Sequence, residues 1–221
     1  MKRFLLLLTI FSFFTACNGQ EKTDLLKLNL NEPVETLVSE NENTNKFIGT
    51  ESVEYPFAIL VGDADANKFS VSEIPVKKVY FLLHSKINHH NINSEGKIFK
   101  TIKQLINNLN ELKHKEIDNK IFGFRAVISD EKNKTEIKKF LVEKYGKGTK
   151  NPNSENGLYW NIQSENKYIF FAPDYDRLII LNNANMSKTC YWDNMNGMIK
   201  FGNSDCDTET YFKEMGAYSK E

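Results

Sequence analysis

The sequence predicts an α+β domain: a mostly antiparallel sheet of about seven strands with two main helices packed on one face. Three observations carry this. Short β-branched and aromatic runs come in groups rather than alternating singly with helices, which disfavours a doubly wound sheet. Two amphipathic stretches, about 97–113 and 134–145, carry apolar residues at helical spacing. A block from Leu158 to Leu181 reads as three strands joined by short polar turns. The predicted order is β-β-β-α-β-α-β-β-β, with a short helix in front.

That front helix is expected over about 32–39, with Asn31 as N-cap and Pro33 in the first turn. Residues 39–46 read as a polar loop. Tyr55–Val61, Phe69–Ile74 and Val76–His84 read as strands, the second by its apolar/polar alternation. In the first helix Ile98, Ile102, Leu105, Ile106, Leu109 and Leu112 share a face, and Ser94 is a candidate cap. Ile121–Ser129 returns as a strand. The second helix turns Ile137, Phe140, Leu141 and Tyr145 inward and ends at Gly146, a residue suited to a C-cap. In the meander, Leu158–Ile162, Lys167–Ala172 and Arg177–Leu181 are joined by Ser164-Glu165-Asn166 and Pro173-Asp174-Tyr175-Asp176. Residues 28–182 are therefore expected to form one domain, with 183–221 an irregular segment packed on it.

The N-terminus has the layout of a secretory signal peptide. Lys2 and Arg3 make a positive start, Phe4–Phe14 is an 11-residue apolar run, and Thr15-Ala16 are small. Such a run covers only ~16 Å as a helix, too little for a ~30 Å hydrocarbon core. Phe14-Thr15-Ala16-Cys17 resembles the lipobox of bacterial lipoproteins, with Phe14 where Leu is commoner. Cys17-Asn18-Gly19-Gln20 is similar to the start of many mature lipoproteins from Bacteroidota. The resemblance implies cleavage before Cys17, palmitate-type acyl chains on that residue, and a place in the cell envelope, with the outer membrane favoured. It leaves open which membrane, and which face of it, the protein occupies. Residues 1–16 are then the signal peptide and 17–27 a lipidated tether. The segment Lys138–Leu181 also loosely resembles small envelope modules of the outer-membrane assembly lipoprotein type.

Charge excludes one class of partner. The precursor carries 29 basic and 29 acidic residues. Losing Lys2 and Arg3 leaves 27 against 29, a near-neutral chain with no basic cluster, so nucleic acid is not expected as a partner. Cys190 and Cys206, with 15 residues between them, are a candidate structural disulfide in an oxidising compartment. Closing that loop would stabilise by roughly 3 kcal/mol. The alternative is two free thiols. Their spacing is not that of a redox pair.

Constellations that could carry chemistry are few. Asp63, Asp65 and Asn67 match the opening of a calcium loop, but Lys68 replaces its glycine and Ile74 its bidentate acid. His84, His89 and His90, with His114 as a fourth, could bind zinc or copper, but a polar loop at the strand end explains them better. No metal or cofactor is expected on these patterns. There is no Gly-x-Ser-x-Gly, phosphate loop or His-Glu-x-x-His. The aromatic meander stands out instead. Tyr159, Trp160, Tyr168, Phe170 and Tyr175 are candidates for a binding surface, if the sheet face carrying them is not covered. Tyr159 and Trp160 must face opposite ways. These features favour a non-enzymatic envelope protein that binds another protein. The alternatives are a small-ligand or glycan binder using Trp160 or Trp192, and a hydrolase without familiar motifs.

Overall fold

A computed structural model describes residues 22–38, 40, 45–51, 57–63, 68–85, 97–113, 117–150, 154–182, 192–193 and 197–198. Its elements are, in chain order, β1 Thr23–Asp24, β2 Lys46–Glu51, β3 Phe57–Asp63, β4 Phe69–Val71, β5 Ile74–Pro75, β6 Lys78–Ser85 and β7 Lys97–Phe99. Then come α1 Ile102–Lys113, β8 Ile117–Val127, α2 Glu131–Tyr145, β9 Thr149–Lys150, β10 Leu158–Ile162, β11 Lys167–Ala172 and β12 Arg177–Asn182. The two-residue strands β13 Trp192–Asp193 and β14 Gly197–Met198 form a separate antiparallel pair.

The fold is α+β, as the sequence predicts. Nine strands make one sheet in the order β7-β2-β3-β6-β8-β12-β11-β10-β9. Every neighbouring pair is antiparallel. A second sheet, β1-β4-β5, pairs β1 parallel to β4 and β4 antiparallel to β5. The main sheet has nine strands rather than about seven: β2, β7 and β9 were not foreseen in it, and the expected strand Phe69–Ile74 instead gives β4 and β5 of the second sheet. The central meander matches its expected bounds to within one residue.

Both helices lie on the same face. Leu105 of α1 and Ile137 and Leu141 of α2 share one core with Phe81, Phe124, Ile169, Phe171 and Ile180 of the main sheet. The opposite face carries a smaller cluster of Leu82, Phe122, Phe170, Ile179 and Leu181. A register shift between Leu82 and Leu83 lets β8 turn adjacent residues to that second face. Phe122 joins the cluster, while Gly123 lies flat against Leu181. A Cβ at Gly123 would sit 2.4 Å from Leu181 Cδ2 and 2.7 Å from the Ile180 carbonyl oxygen.

Several local expectations change. Lys97–Phe99 is a strand paired with β2, not the first turn of a helix, and Ile98 is 66% exposed rather than inward. α1 begins at Ile102. Gln104 N donates to Thr101 Oγ1 (3.3 Å) and Thr101 N donates to Gln104 Oε1 (3.4 Å), a reciprocal cap. Ser94 lies outside the described residues. α2 begins three residues earlier than expected, because the Asp130 carboxylate accepts Asn133 N at 2.8 Å. Gly146 closes it with φ of 79°. The front helix is only a 3₁₀ turn, Val34–Thr36.

The largest change lies around that turn. Leu25, Leu26, Leu28, Leu30, Val34, Leu37 and Val38 all belong to the main core. Residues 23–27 of the expected tether are therefore part of the domain. Burying five or more apolar side chains there contributes on the order of 1.5–3 kcal/mol each before entropy is counted. Lys167 Nζ donates to the Leu26 carbonyl oxygen at 2.5 Å and lies 3.6 Å from Glu165. Asn182 Nδ2 donates to the Leu30 carbonyl at 3.4 Å.

Candidate functional site

The meander divides the predicted aromatic surface between two faces. Trp160 faces the helices and is buried. Its Nε1 donates to the Gly146 carbonyl oxygen at 2.9 Å, and its ring packs on Gly148, where a Cβ would come within 2.7 Å of Cε2. It locks α2 to the sheet. Tyr175 is 41% exposed but sits in the 3₁₀ turn Pro173–Tyr175, away from the strand faces.

The other three residues come together. Tyr159 opposes Phe170 across β10 and β11, and Tyr168 lies two residues from Phe170 on the same face. The Tyr159 and Phe170 rings are 6.0 Å apart at 25°, and the Tyr168 and Phe170 rings 6.0 Å apart at 11°. Phe170 is the buried middle of this row and the tyrosines are half-buried ends. Pairs of this kind contribute ~0.5–1.5 kcal/mol beyond burial. Asn161 Nδ2 donates to Tyr168 Oη at 2.8 Å, fixing the hydroxyl end. On the same face Tyr80 carries the Arg125 guanidinium 4.7 Å and Lys78 Nζ 5.2 Å from its ring centroid.

A polar groove of about 370 Å³ lies at the start of α2, between Glu131, Lys134, Thr135, Lys138, Asn156, Phe171, Pro173 and Asp174. Sequence reasoning did not assemble it, since its parts come from a helix, a strand and two turns. The Asp and Asn of those turns signal capping, but not which groups they meet. Lys134 Nζ pairs with Asp176 at 2.5 Å and Glu131 at 2.7 Å. Its hydrogen bonds to these two carboxylates, Asp176 first, raise its pKa above the ordinary lysine value. Asp174 accepts Asn156 Nδ2 (2.8 Å), Asn156 N (3.0 Å) and Ser154 Oγ (2.7 Å). Those bonds, Asn156's side chain foremost, hold its carboxyl below the usual carboxylate range. A base poised near neutrality needs a raised carboxyl pKa, and a nucleophilic lysine a lowered one. Both shifts run the other way. The geometry is that of a clamp joining α2 to the β10 and β12 turns.

Other sequence candidates are not placed. Cys17, Cys190 and Cys206 lie outside the described residues, as do Asp65, Asn67, His89, His90 and His114. Asp63 ends β3 and His84 lies in β6, and the structure describes their backbone alone. Trp192 begins β13, likewise as backbone. Among the described residues no three His, Cys, Asp or Glu side chains are grouped to hold a metal ion. No helix among them is long and apolar enough to cross a membrane. Comparison with protein-family models, with curated proteins and with solved structures finds no match.

Proposed function

We propose that this is a lipid-anchored envelope protein, held by acyl chains on Cys17, that binds another protein in an assembly, inhibitory or immunity-type role without catalysing a reaction. The observation that supports this reading is the pair of half-exposed rings, Tyr159 and Tyr168, flanking the buried Phe170 on the sheet face opposite the helices. Tyrosine edges with a polar tip, set on a rigid strand scaffold, are the chemistry of protein interfaces. Partly exposed rings that are already ordered lose little entropy on binding.

A glycan platform is the weaker alternative. It needs an open ring face, and Trp160 is enclosed while Phe170 is covered by its two neighbours. The test is photocrosslinking in cells with benzoylphenylalanine at position 159 or 168. One discrete envelope protein should be captured at these positions, and Tyr159→Ala should weaken its co-purification. No adduct from either site, together with turnover of ester or glycan substrates by the pure protein, would overturn the proposal.

A further inference from the structure

We infer that residues 183–201 of this chain, with the β13–β14 pair among them, lie across the middle of the sheet face opposite the helices. The inference does not depend on what the protein binds. Cross-strand register defines that face. Leu82, Gly123, Leu181 and Tyr168 form one row across β6, β8, β12 and β11. Tyr80, Arg125, Ile179, Phe170 and Tyr159 form the next, which runs on through Gly62 and Phe47 to Ile98 at the far margin. Leu82, Ile179 and Leu181 are 0% exposed, and Phe122 beside them is 1% exposed. One face of an antiparallel sheet can stand in water, and its side chains then keep part of their surface. Neighbours within the sheet do not close this patch, because Gly123 stands between Leu82 and Leu181 without a side chain. A further layer, ~10 Å from the sheet, has to lie over it. Exposure marks its extent: Tyr159 and Tyr168 are half-buried, and Ile98 is 66% exposed. The layer therefore covers β6, β8 and β12 and leaves the margins open.

The described elements on the helix side do not supply that layer. Leu25, Val34, Phe69, Ile74, Leu105 and Ile137 place the N-terminal arm, β4, β5 and both helices in the other core. Among the described residues outside the main sheet and its turns, the β13–β14 pair is the element that remains. Lys78, Tyr80, Phe122, Arg125 and Arg177, all on the covered face, each make a further polar or ring contact. Chain direction and composition select the occupant. β12 ends at Asn182, one residue past Leu181, so the chain leaves the sheet from the edge of the covered patch. The stretch that follows carries Met186, Trp192, Met195, Met198, Ile199 and Phe201. Trp192 and Met198 are cross-strand partners, which sets both on one face of the pair. The connection 86–96, in contrast, has only Ile87 and Ile92 as large apolar residues and must return to β7 at the sheet margin. The apolar run Phe4–Phe14 joins the domain through β1, on the helix side.

The experiment uses the full chain, purified and dilute, with benzoylphenylalanine at position 80 and, in a second protein, at position 168. Both positions are half-buried aromatics on this face, so the larger ring is accommodated and each protein checks the other. Irradiation followed by peptide mapping should find a crosslink within the chain, from the probe to a residue in 183–201. The same probe at Val142, exposed on α2, should give no crosslink to that stretch. Crosslinks from positions 80 and 168 to the N-terminal run or to 86–96 instead would overturn the inference. So would crosslinks between separate chains only, equal capture of 183–201 from position 142, or no crosslink within the chain from either position.

Discussion

At the scale of single residues, the fold depends on close approaches that composition does not reveal. Gly123 is one. The Leu181 methyl that a new Cβ would strike can rotate away, but the Ile180 carbonyl oxygen at 2.7 Å cannot move without breaking β12 from β8. Gly123→Ala should therefore cost on the order of 1–3 kcal/mol, as overpacking does in a tight core. Urea unfolding would show it as a lowered midpoint at constant slope. Asp174 offers a second test, through pH. Its folded pKa lies below the ordinary 3.8 because Asn156 and Ser154 donate to the ionised form. A depressed carboxyl pKa adds stability that is present above the unfolded value and is lost as pH falls through the folded one. The wild type should lose stability below about pH 4 more steeply than Asp174→Asn. Parallel thermal-melting curves for the two proteins from pH 5 to pH 2.5 would exclude the contribution. Neither residue stood out in the sequence, because a glycine in a strand and an aspartate in a turn each have many ordinary explanations.

At the scale of elements, what the sequence revealed depended on how much of an element's stabilisation is local. The meander was legible almost to the residue: its strands alternate, and its turns hold Asn166 and Asp176 at φ of 53° and 59°, a conformation that Asn and Asp tolerate. β2 was not, since Lys46–Glu51 contains Gly49 and gains its order from pairing with β3 and β7. β7 was misread because Ile98 falls in phase with Ile102. The capping box Thr101-x-x-Gln104 was the available sign that the helix starts later. The N-terminal leucines were misassigned for a different reason. They dock through tertiary contacts such as Lys167 to the Leu26 carbonyl, 141 residues apart in sequence. That contact can be tested. Lys167→Met keeps the buried stem but leaves the carbonyl without its charged donor, which should cost about 2 kcal/mol. Hydrogen exchange should rise first at Leu25–Leu28 and not in β10–β12. Uniform exchange across the domain would mean that Lys167 acts elsewhere.

At the scale of the whole molecule, the candidate site and the address differ in how they are encoded. Trp160 and Tyr159 are adjacent in sequence yet serve opposite faces, so alternation separated them correctly but could not say which face the helices would cover. The proposed address, in contrast, rests on consecutive residues, and the consequence it would have is a matter of acyl-chain arithmetic. Each buried CH₂ contributes ~0.8 kcal/mol, so a single myristoyl-length chain binds only reversibly, while two or three chains make attachment effectively permanent. No helix among the described residues is long and apolar enough to cross a bilayer. Cys17→Ala should thus shift the protein wholly from an attached to an unattached state, or stall it as an uncleaved precursor. Fractionation of cells into membrane and soluble pools, with the mass of the N-terminal peptide, distinguishes these results. Full membrane retention of a processed Cys17→Ala chain would require a second attachment, through a partner bound on the aromatic face. Adding Tyr159→Ala to that variant would then release it.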